Sequence, residues 1–368
     1  MTTPQQTTRP PPVAKAAAAS SPIRARLVRR TLTGLACALA LLTSAQVAAQ
    51  APAGPTLAAV KARGAVVCST AGTTPGFGLY DKTGVLVGLD ADTCRAVAAA
   101  VFGDPAKARF EVLISAQRLV ALATGQVDLT VQQLSWTLTR EAANGLEFAG
   151  VNFYDGQAFL VRKGVVKAAA DLNGASLCIT AGSTAEITLS DWARRNHIEY
   201  RPIVFESSDQ AIRAFDAGRC DGYSTDSSLL AAARTILKDP DSTVILGERI
   251  SKEPLGPAVR KGDDQWLDIV KWTVFALLNA EELGVTKANV DEMLNSDAPA
   301  VRRLLGVEGE LGPQMGLDRR WAYNIIKALG NYGELYEKHF GPNTPIDLPR
   351  KINSLWNAGG IMFAPPMR

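Results

Sequence analysis

An alternation of short apolar segments with helical stretches occurs twice in the chain, and it limits the fold more than any other feature. In the first copy, the apolar segments that predict strands are residues 65–68, 85–89, 110–114 and 127–131. After the second of these, apolar side chains recur at helical spacing, at Cys94, Val97, Ala98 and Val101. We expect Asp90 or Asp92 to cap this helix and Gly103 to end it. Strands and helices in this order predict an α/β fold with parallel sheets.

The second copy occupies the middle of the chain. Its predicted strands are residues 159–162, 176–180, 203–205, 219–223 and 244–246. If the two copies form two lobes, we interpret the strand 159–162 as the segment by which the chain leaves the first lobe. A helix is predicted after Ser183, which forms a capping box with Glu186. Residues 253–257 are predicted to lead the chain back. Two later helices, at 266–277 and 321–329, have apolar stripes typical of a core.

The first 49 residues have the composition of a secretory signal peptide. They contain no Asp or Glu, and their cations precede an apolar run at residues 32–42 and small residues that end at Ala49. We predict Sec-dependent export to the periplasm with cleavage after Ala49. A twin-arginine signal at Arg29 and Arg30, or a lipid attached to Cys37, are the alternatives.

The predicted mature chain is long enough for two domains. Its 319 residues exceed the ~100–200 that are typical of one domain. We assign residues 50–160 to a first lobe and 161–250 to a second, and we expect residues 251–368 to return to the first lobe as C-terminal helices. No stretch approaches the ~20 continuous apolar residues that span a bilayer.

Composition argues against several classes of function. Subtracting the six cations of the signal peptide from 39 leaves 33 Lys and Arg against 36 Asp and Glu, so we expect no nucleic-acid partner. Two histidines and no closely spaced cysteine pair give neither a zinc site nor a His-based catalytic triad, and we expect no metal and no cofactor.

Four cysteines remain in the predicted mature chain, Cys68, Cys94, Cys178 and Cys220. An even number in an oxidising compartment predicts two disulfides. The spacing alone leaves three pairings open. If each disulfide forms within one lobe, Cys68 pairs with Cys94 and Cys178 pairs with Cys220.

Two opposite charges each end a hydroxyl-rich segment in a different half of the chain. Arg140 ends the segment that starts at Ser135, and Asp226 ends the segment that starts at Gly222. Ligands of parallel α/β sheets bind beyond the carboxyl ends of the strands, where both segments lie. A guanidinium holds a carboxylate by two parallel hydrogen bonds, and a carboxylate pairs with an ammonium. We therefore predict that Arg140 and Asp226 hold the two ends of a zwitterion.

Six phrases of the sequence, taken together, resemble one family. They are residues 88–97, 136–141, 148–151, 154–157, 251–257 and 321–326. On these phrases, residues 57–368 resemble the periplasmic solute-binding proteins of amino-acid ABC importers, and specifically the general L-amino-acid-binding branch of family 3. The resemblance implies a two-lobed periplasmic-binding-protein fold of type II, with two crossover strands between the lobes. It implies capture of a free L-amino acid by closure and delivery to an inner-membrane ABC permease, without catalysis. We expect a monomer.

The resemblance also assigns site residues. Arg140 matches the family's carboxylate-binding arginine, Ser135 a first-lobe hydroxyl contact, and Asp226 the amine-binding aspartate. Ser183 and Thr184 match the second-lobe loop that also holds the carboxylate. The remaining candidate ligand contacts are Thr137, Trp136 and Phe77.

Structural roles compete with these assignments. Arg140 is also placed to pair with Glu141 or Glu147, and Asp226 is placed to cap the helix that follows it. The aromatic candidates, Trp136 and Phe77, fit a core as well as a pocket wall.

Two departures from the family bear on specificity. Thr70 and Thr73 stand where relatives that select charged or polar ligands carry an acidic and an aromatic residue, and this favours a broad pocket. Residues 132–134 are less polar than the general branch leads us to expect.

The competing function is a periplasmic enzyme on the same fold, similar to a cyclohexadienyl or arogenate dehydratase. Such an enzyme needs a general acid placed against the leaving group of the substrate. From the sequence, we expect no second acid beside Arg140 or Asp226 to serve in that role.

Overall fold

The computed structural model describes residues 54–368. The predicted signal peptide at residues 1–49, and the alternatives at Arg29, Arg30 and Cys37, lie outside the described residues. The described part forms two five-stranded sheets flanked by helices, which confirms the predicted two-lobed α/β fold. No helix within residues 54–368 combines the length and apolarity needed to cross a bilayer.

The sheet of the first lobe is mixed. Its strands, in spatial order, are Ala108–Val112, Val66–Thr70, Leu129–Thr130, Ala258–Arg260 and Leu146–Phe148. The first three are parallel to one another. The strand Ala258–Arg260 pairs antiparallel with both of its neighbours, because it enters after the return from the second lobe and not through a crossover helix. Four of the five strands therefore run in the same direction, and the sheet is mostly parallel, as predicted.

The helices of the first lobe are Pro55–Arg63, Leu89–Phe102, Arg118–Thr124 and Leu138–Ala142, and a small antiparallel sheet is formed by Thr73–Thr74, Gly78–Tyr80 and Leu86–Val87. The predicted caps of the second helix are wrong. Gly88, with φ 135°, is its N-cap residue, while Asp90 and Asp92 lie inside the first turn and bind side chains elsewhere. The helix ends at Gly103, with φ 71°, as predicted.

The sheet of the second lobe has the same plan as the first. Its strands, in spatial order, are Arg201–Phe205, Ser176–Thr180, Gly222–Asp226, Gln157–Arg162 and Thr243–Ile245. The strand Gln157–Arg162, which we had interpreted as leaving the first lobe, lies between two partners of the second sheet and is antiparallel to both. That interpretation is wrong, because the alternating pattern carries no information about which sheet a strand joins.

The helices of the second lobe are Thr184–Arg195, Ser208–Asp216 and Ser227–Arg234. Ser183 is the N-cap residue of the first of these, but its hydroxyl donates to the carbonyl of Thr180 at 2.6 Å and does not accept from the helix. The predicted capping box of Ser183 and Glu186 is therefore not formed.

Two short antiparallel strands connect the lobes. Phe153–Asp155 carries the chain into the second lobe, and Glu253–Leu255 carries it back. The pair corresponds to the two crossover strands that the sequence predicts, and the polar residues at its ends lie beside the cleft.

The C-terminal helices share one hydrophobic core with the first lobe. They are Asp264–Glu282, Val290–Met293, Pro299–Leu304, Leu311–Gln314, Trp321–Leu329 and Tyr332–Phe340. Trp266, Ile269 and Trp321 are buried in this core, as their helical spacing predicts, and they pack with residues such as Val66 and Leu129.

Each lobe contains one disulfide. Cys68 in a strand of the first sheet pairs with Cys94 in the helix behind it, with Cα atoms 6.3 Å apart. Cys178 pairs with Cys220 in the second lobe, with Cα atoms 5.7 Å apart. The structure thus confirms the pairing within each lobe.

Candidate functional site

The candidate site is the cleft between the lobes, beyond the carboxyl ends of the strands Ser176–Thr180 and Gly222–Asp226. Hydroxyl side chains from both lobes dominate its wall: Ser115, Ser135, Thr180, Ser183, Thr184, Ser208 and Thr225. Two charged side chains, Arg118 and Asp226, line it as well. Its cavity measures ≈ 30 Å³, and the hydroxyl groups of Ser135 and Thr184, one from each lobe, lie 3.3 Å apart beside it. The lobes are therefore closed in this conformation.

Arg140 is buried at the edge of the first lobe. It lies in the short helix Leu138–Ala142, whose N-cap residue Thr137 accepts from the Arg140 amide at 3.3 Å. Its Nη1 donates to the carbonyl of Ser135 at 2.6 Å. Burial lowers the pKa of Arg140, and the negative charges of Glu253 and Asp226 oppose that effect.

The ion pairs that would give Arg140 a purely structural role are not formed in the described residues. Within residues 54–368 the structure has no ion pair from Arg140 to Glu141 or Glu147, and Glu147 instead lies 3.9 Å from Lys261. Arg140 is thus a buried cation whose nearby carboxylates belong to the other lobe and to the connecting strands.

Asp226 ends a buried strand of the second lobe and is itself only 6% exposed. Burial raises the pKa of Asp226 well above its ordinary value, and the carboxylates of Asp155 and Glu253 raise it further. Arg118 and Arg140, both from the first lobe, act in the opposite direction. A carboxylate in this environment gains from a cation placed beside it.

Asp155, not Asp226, caps the helix Ser227–Arg234. Asp226 occupies the N-cap position, but its side chain makes no capping hydrogen bond. The Asp155 carboxylate accepts from the amides of Ser227 and Ser228, at 3.2 and 3.0 Å, and from both of their hydroxyls. The capping role predicted as an alternative for Asp226 is therefore wrong, and within the described chain the structure records no hydrogen bond to the Asp226 carboxylate.

A chain of hydroxyl contacts joins the lobes across the cleft. The Ser135 hydroxyl lies 3.3 Å from that of Thr184, which in turn donates to Glu253 Oε2 at 3.2 Å. The other oxygen of Glu253 accepts from Ser251 at 2.7 Å. Because Glu253 belongs to a connecting strand, these contacts link both lobes and the hinge in the closed conformation.

The aromatic candidates and Thr137 have structural roles. Phe77 is 1% exposed and packs edge-on against Phe153 and Phe340, so it belongs to the core and not to the pocket wall. Trp136 is 38% exposed and stacks on Phe148, with ring centroids 5.3 Å apart, and it does not line the cavity. Ser135, Ser183, Thr184 and Asp226 do line it. Arg140 does not line it, but its guanidinium donates to the backbone carbonyl of Ser135, which does.

Several charged residues around the cleft are not predicted from the sequence. Arg118, Asp90 and Glu253 are 4–5% exposed. Burial raises the pKa of Asp90 to about 7, although hydrogen bonds from Gln133 oppose the rise. Asp90 and Glu253 belong to phrases that carried the family resemblance, but no local pattern indicated that these segments meet at the cleft.

Two further acids lie near Asp226, and the expectation that neither serves there as a general acid stays a prediction. Asp155 and Glu253 are both close enough to act on the pKa of Asp226. Their oxygens, however, accept from serine and threonine hydroxyls, and Asp90 accepts from Gln133. In residues 54–368 no group of three metal-binding side chains is assembled.

Two lobes, two connecting strands and a polar cleft with opposite charges on its two sides are the features of a solute-binding protein. The model of the bacterial extracellular solute-binding proteins, family 3, matches residues 66–288, and the chain belongs to this family.

Individual relatives match most of the chain. The general L-amino acid-binding periplasmic protein AapJ of Rhizobium johnstonii is 49% identical over 325 residues, which cover 88% of this chain and 95% of AapJ. The glutamate/glutamine/aspartate/asparagine-binding protein BztA of Rhodobacter capsulatus is 45% identical, over 88% of this chain and 96% of BztA. A periplasmic binding protein from Brucella ovis, solved with glutathione bound, is 46% identical, with a TM-score of 0.83 over 85% of this chain and 99% of that one.

Proposed function

We propose that the chain is the periplasmic substrate-binding component of an amino-acid ABC importer. It binds a free L-amino acid in the cleft, closes, and delivers the ligand to an inner-membrane ABC permease as a monomer and without covalent chemistry. The names of the AapJ and BztA relatives support the ligand class. The predicted signal peptide and the two disulfides support a location outside the cytoplasm.

The observation that carries the proposal is the pair Arg140 and Asp226 on opposite sides of one cleft. Each is buried, and each acts on the pKa of the other. An α-carboxylate bound by Arg140 and an α-ammonium bound by Asp226 would give both groups the partner that burial demands. Ser135, Ser183 and Thr184 supply further hydrogen-bonding groups for the carboxylate.

Because Arg140 and Asp226 belong to different lobes, ligand binding favours closure of the cleft. In the open form a ligand meets the charges of one lobe only, whereas the closed form satisfies both of its ends. A ligand that binds the closed form more tightly shifts the population towards it. We propose broad specificity among L-amino acids, since the contacts with Arg140 and Asp226 use the part that all amino acids share.

Calorimetric titration of the mature chain with the twenty amino acids tests the proposal. L-alanine should bind, and propanoate and ethylamine, which lack the amine and the carboxylate respectively, should bind at least about 30-fold more weakly, the lower limit for removing one side of a buried charge pair. Propanoate that binds as tightly as L-alanine would contradict the proposal.

The dehydratase alternative has its own readout. Turnover of prephenate or arogenate by the purified protein would replace the transport function with an enzymatic one. We expect none, because the carboxylates beside Asp226 are hydrogen-bonded to hydroxyl groups that hold them in place.

A further inference from the structure

The C-terminal segment exposes a cluster of apolar side chains at one place on the surface. Within residues 54–368, four of the fourteen large apolar side chains that are exposed lie between residues 352 and 363. They are Ile352, Trp356, Ile361 and Phe363, and we call them the tail patch. Single exposed apolar residues are ordinary, whereas a cluster of them is typical of a surface that binds a partner or a membrane.

Backbone and ring contacts make the tail patch continuous. The Ile361 amide donates to the carbonyl of Ile352 at 2.9 Å, and the ring centroids of Trp356 and Phe363 lie 6.4 Å apart. Met362 is buried, so its two neighbours in the extended segment, Ile361 and Phe363, point to the opposite side, towards solvent. Trp356 is 53% exposed and Phe363 is 61% exposed, so the two largest side chains of the patch are available to a partner.

A groove with uncommitted cations borders the tail patch at Ile352. Its volume is ≈ 380 Å³, and residues of the second lobe, the connecting strands and the C-terminal segment line it. Arg249, Lys252 and Lys351 are lining residues that form no ion pair within residues 54–368. The two lysines are exposed. Cations without a carboxylate partner at a surface attract an anion from outside the chain.

The other charged groups at the groove and the patch have partners. Arg350 binds Glu281 through both of its terminal nitrogens, and Asp155 accepts from two serines of the second lobe. Glu282, beside the tail patch, accepts from the Trp356 indole at 3.2 Å. Four lining cations against the carboxylates of Asp155 and Glu281 leave the groove with a net charge of +2.

We propose that the tail patch and the groove together bind the surface of a bilayer that contains anionic phospholipid. Trp356 and Phe363 enter the headgroup region, where aromatic side chains are favoured, and the isoleucines add apolar area. Lys252 and Lys351 contact lipid phosphates. A free anion would use the cations and leave the tail patch in water, whereas an apolar protein surface would leave the cations unpaired. A phospholipid surface satisfies both.

This attachment lies on the membrane and does not span it. No helix within residues 54–368 could cross a bilayer, and four side chains with a few cations give reversible binding. The inference goes beyond the proposed function, because it concerns where the protein resides between ligand captures. Binding to the membrane would raise the local concentration of the protein beside a permease.

Sedimentation with vesicles tests the inference on the mature chain, residues 50–368, which lacks the apolar run of the predicted signal peptide. Vesicles of phosphatidylglycerol and phosphatidylethanolamine in equal parts should bind the parent at low salt, and vesicles of phosphatidylcholine alone should bind it at least about 10-fold more weakly. A parent that stays in the supernatant with the anionic vesicles would overturn the inference.

Two double variants separate the apolar and the charged contributions. Trp356→Ser with Phe363→Ser should lower the partition coefficient by at least about 10-fold. Lys252→Gln with Lys351→Gln should lower it by about 30-fold. If the first pair does not unfold cooperatively, the lysine pair alone decides, and parent-like partitioning of that pair would overturn the inference.

Matched controls use exposed residues away from the tail patch. Val165→Ser with Ile187→Ser, and Lys82→Gln with Lys107→Gln, should bind vesicles as the parent does. Losses in these controls as large as those in the matching tail variants would overturn the inference, because the attraction would then be a property of the whole surface.

Inorganic phosphate distinguishes a lipid surface from a free anion. Calorimetric binding of phosphate by a parent that does not sediment with anionic vesicles would assign the groove to a free anion and overturn the inference. Titration of the same protein with L-alanine tests the proposed function separately, and its failure would leave the vesicle result as it is.

Discussion

The two lobes present unlike faces to the cleft. The first-lobe face holds two buried guanidinium groups, Arg118 and Arg140, whose hydrogen bonds go to backbone carbonyls. The second-lobe face holds one buried carboxylate, Asp226, beside the hydroxyl groups of Ser183 and Thr184. Neither face is electrostatically satisfied on its own. A ligand with both charges would therefore stabilise the closed form more than contact area alone suggests.

The sheets behind these faces are, by contrast, built alike. In each sheet four strands run in one direction and one strand, Ala258–Arg260 or Gln157–Arg162, runs against them. Each lobe also has one disulfide that ties strand residues to the segments packed around them. The shared plan places the carboxyl ends of corresponding strands at the cleft. What distinguishes the lobes is thus the sign of the charge that each contributes at the cleft.

The largest expected effect is the loss of affinity when either face loses its charge. Arg140→Met and Asp226→Asn should each weaken L-amino-acid binding by about 2–5 kcal/mol, because the remaining partner is left buried and unpaired. Calorimetry measures the change. The matched controls are Arg194→Met and Asp191→Asn, which alter an exposed ion pair and should leave the affinity as it is. Parent-like binding by either cleft variant would refute the division of charge between the lobes.

Asp226→Asn should also change the ligand-free protein. The pKa of Asp226 is raised in the folded state, so the folded state holds this proton more tightly than the unfolded state. The contribution of protonated Asp226 to the parent's free energy of unfolding is fully present below the unfolded pKa of about 4, and it is lost as the pH rises through the folded pKa. The free energy of unfolding of Asp226→Asn relative to the parent should therefore grow as the pH rises above 4 or so. Urea unfolding that gives a constant difference would contradict this.

Removing one disulfide should lower the free energy of unfolding mainly through the lobe that contains it. Loops of 42 and 26 residues predict losses of about 4 kcal/mol for Cys178→Ala with Cys220→Ala, and about 3.5 kcal/mol for Cys68→Ala with Cys94→Ala. Hydrogen exchange should show the loss of protection mainly in the lobe that carries the change. A double variant as stable as the parent would show that the crosslink contributes nothing to that lobe.

A smaller effect is expected at the junction of hinge and second lobe. Asp155→Ala removes the side chain that caps Ser227–Arg234 and should lower the free energy of unfolding by about 1–2 kcal/mol. Asp155→Asn keeps an acceptor oxygen and should cost less. Chemical denaturation distinguishes the two, and equal losses would mean that charge, and not the cap, is what stabilises this junction.

Local patterns in the sequence were enough to predict the two lobes. Helical spacing identified the buried faces of 266–277 and 321–329, and the cysteine pairing followed from one bridge per lobe. The positions of Arg140 and Asp226 followed from the rule that ligands bind at the carboxyl ends of strands. These features depend on residues that are close in sequence or on general topology.

Contacts between distant segments were not predictable in this way. Asp155 caps a helix that begins 72 residues later, and Glu253 accepts from Thr184, which lies 69 residues earlier. Ser183 and Glu186 matched a capping box, yet the Ser183 hydroxyl turns back to Thr180. Phe77 fitted a pocket wall by composition, but packing against Phe153 and Phe340 buries it. In each case tertiary contacts override a pattern that was read locally.

A crystal structure with a bound L-amino acid tests the central claim most directly. The account predicts an α-carboxylate oxygen about 2.8 Å from the Arg140 guanidinium and an α-ammonium at a similar distance from Asp226, in one closed cleft. A ligand that contacts only one of the two residues, or a cleft that binds a molecule lacking either charged group, would contradict it.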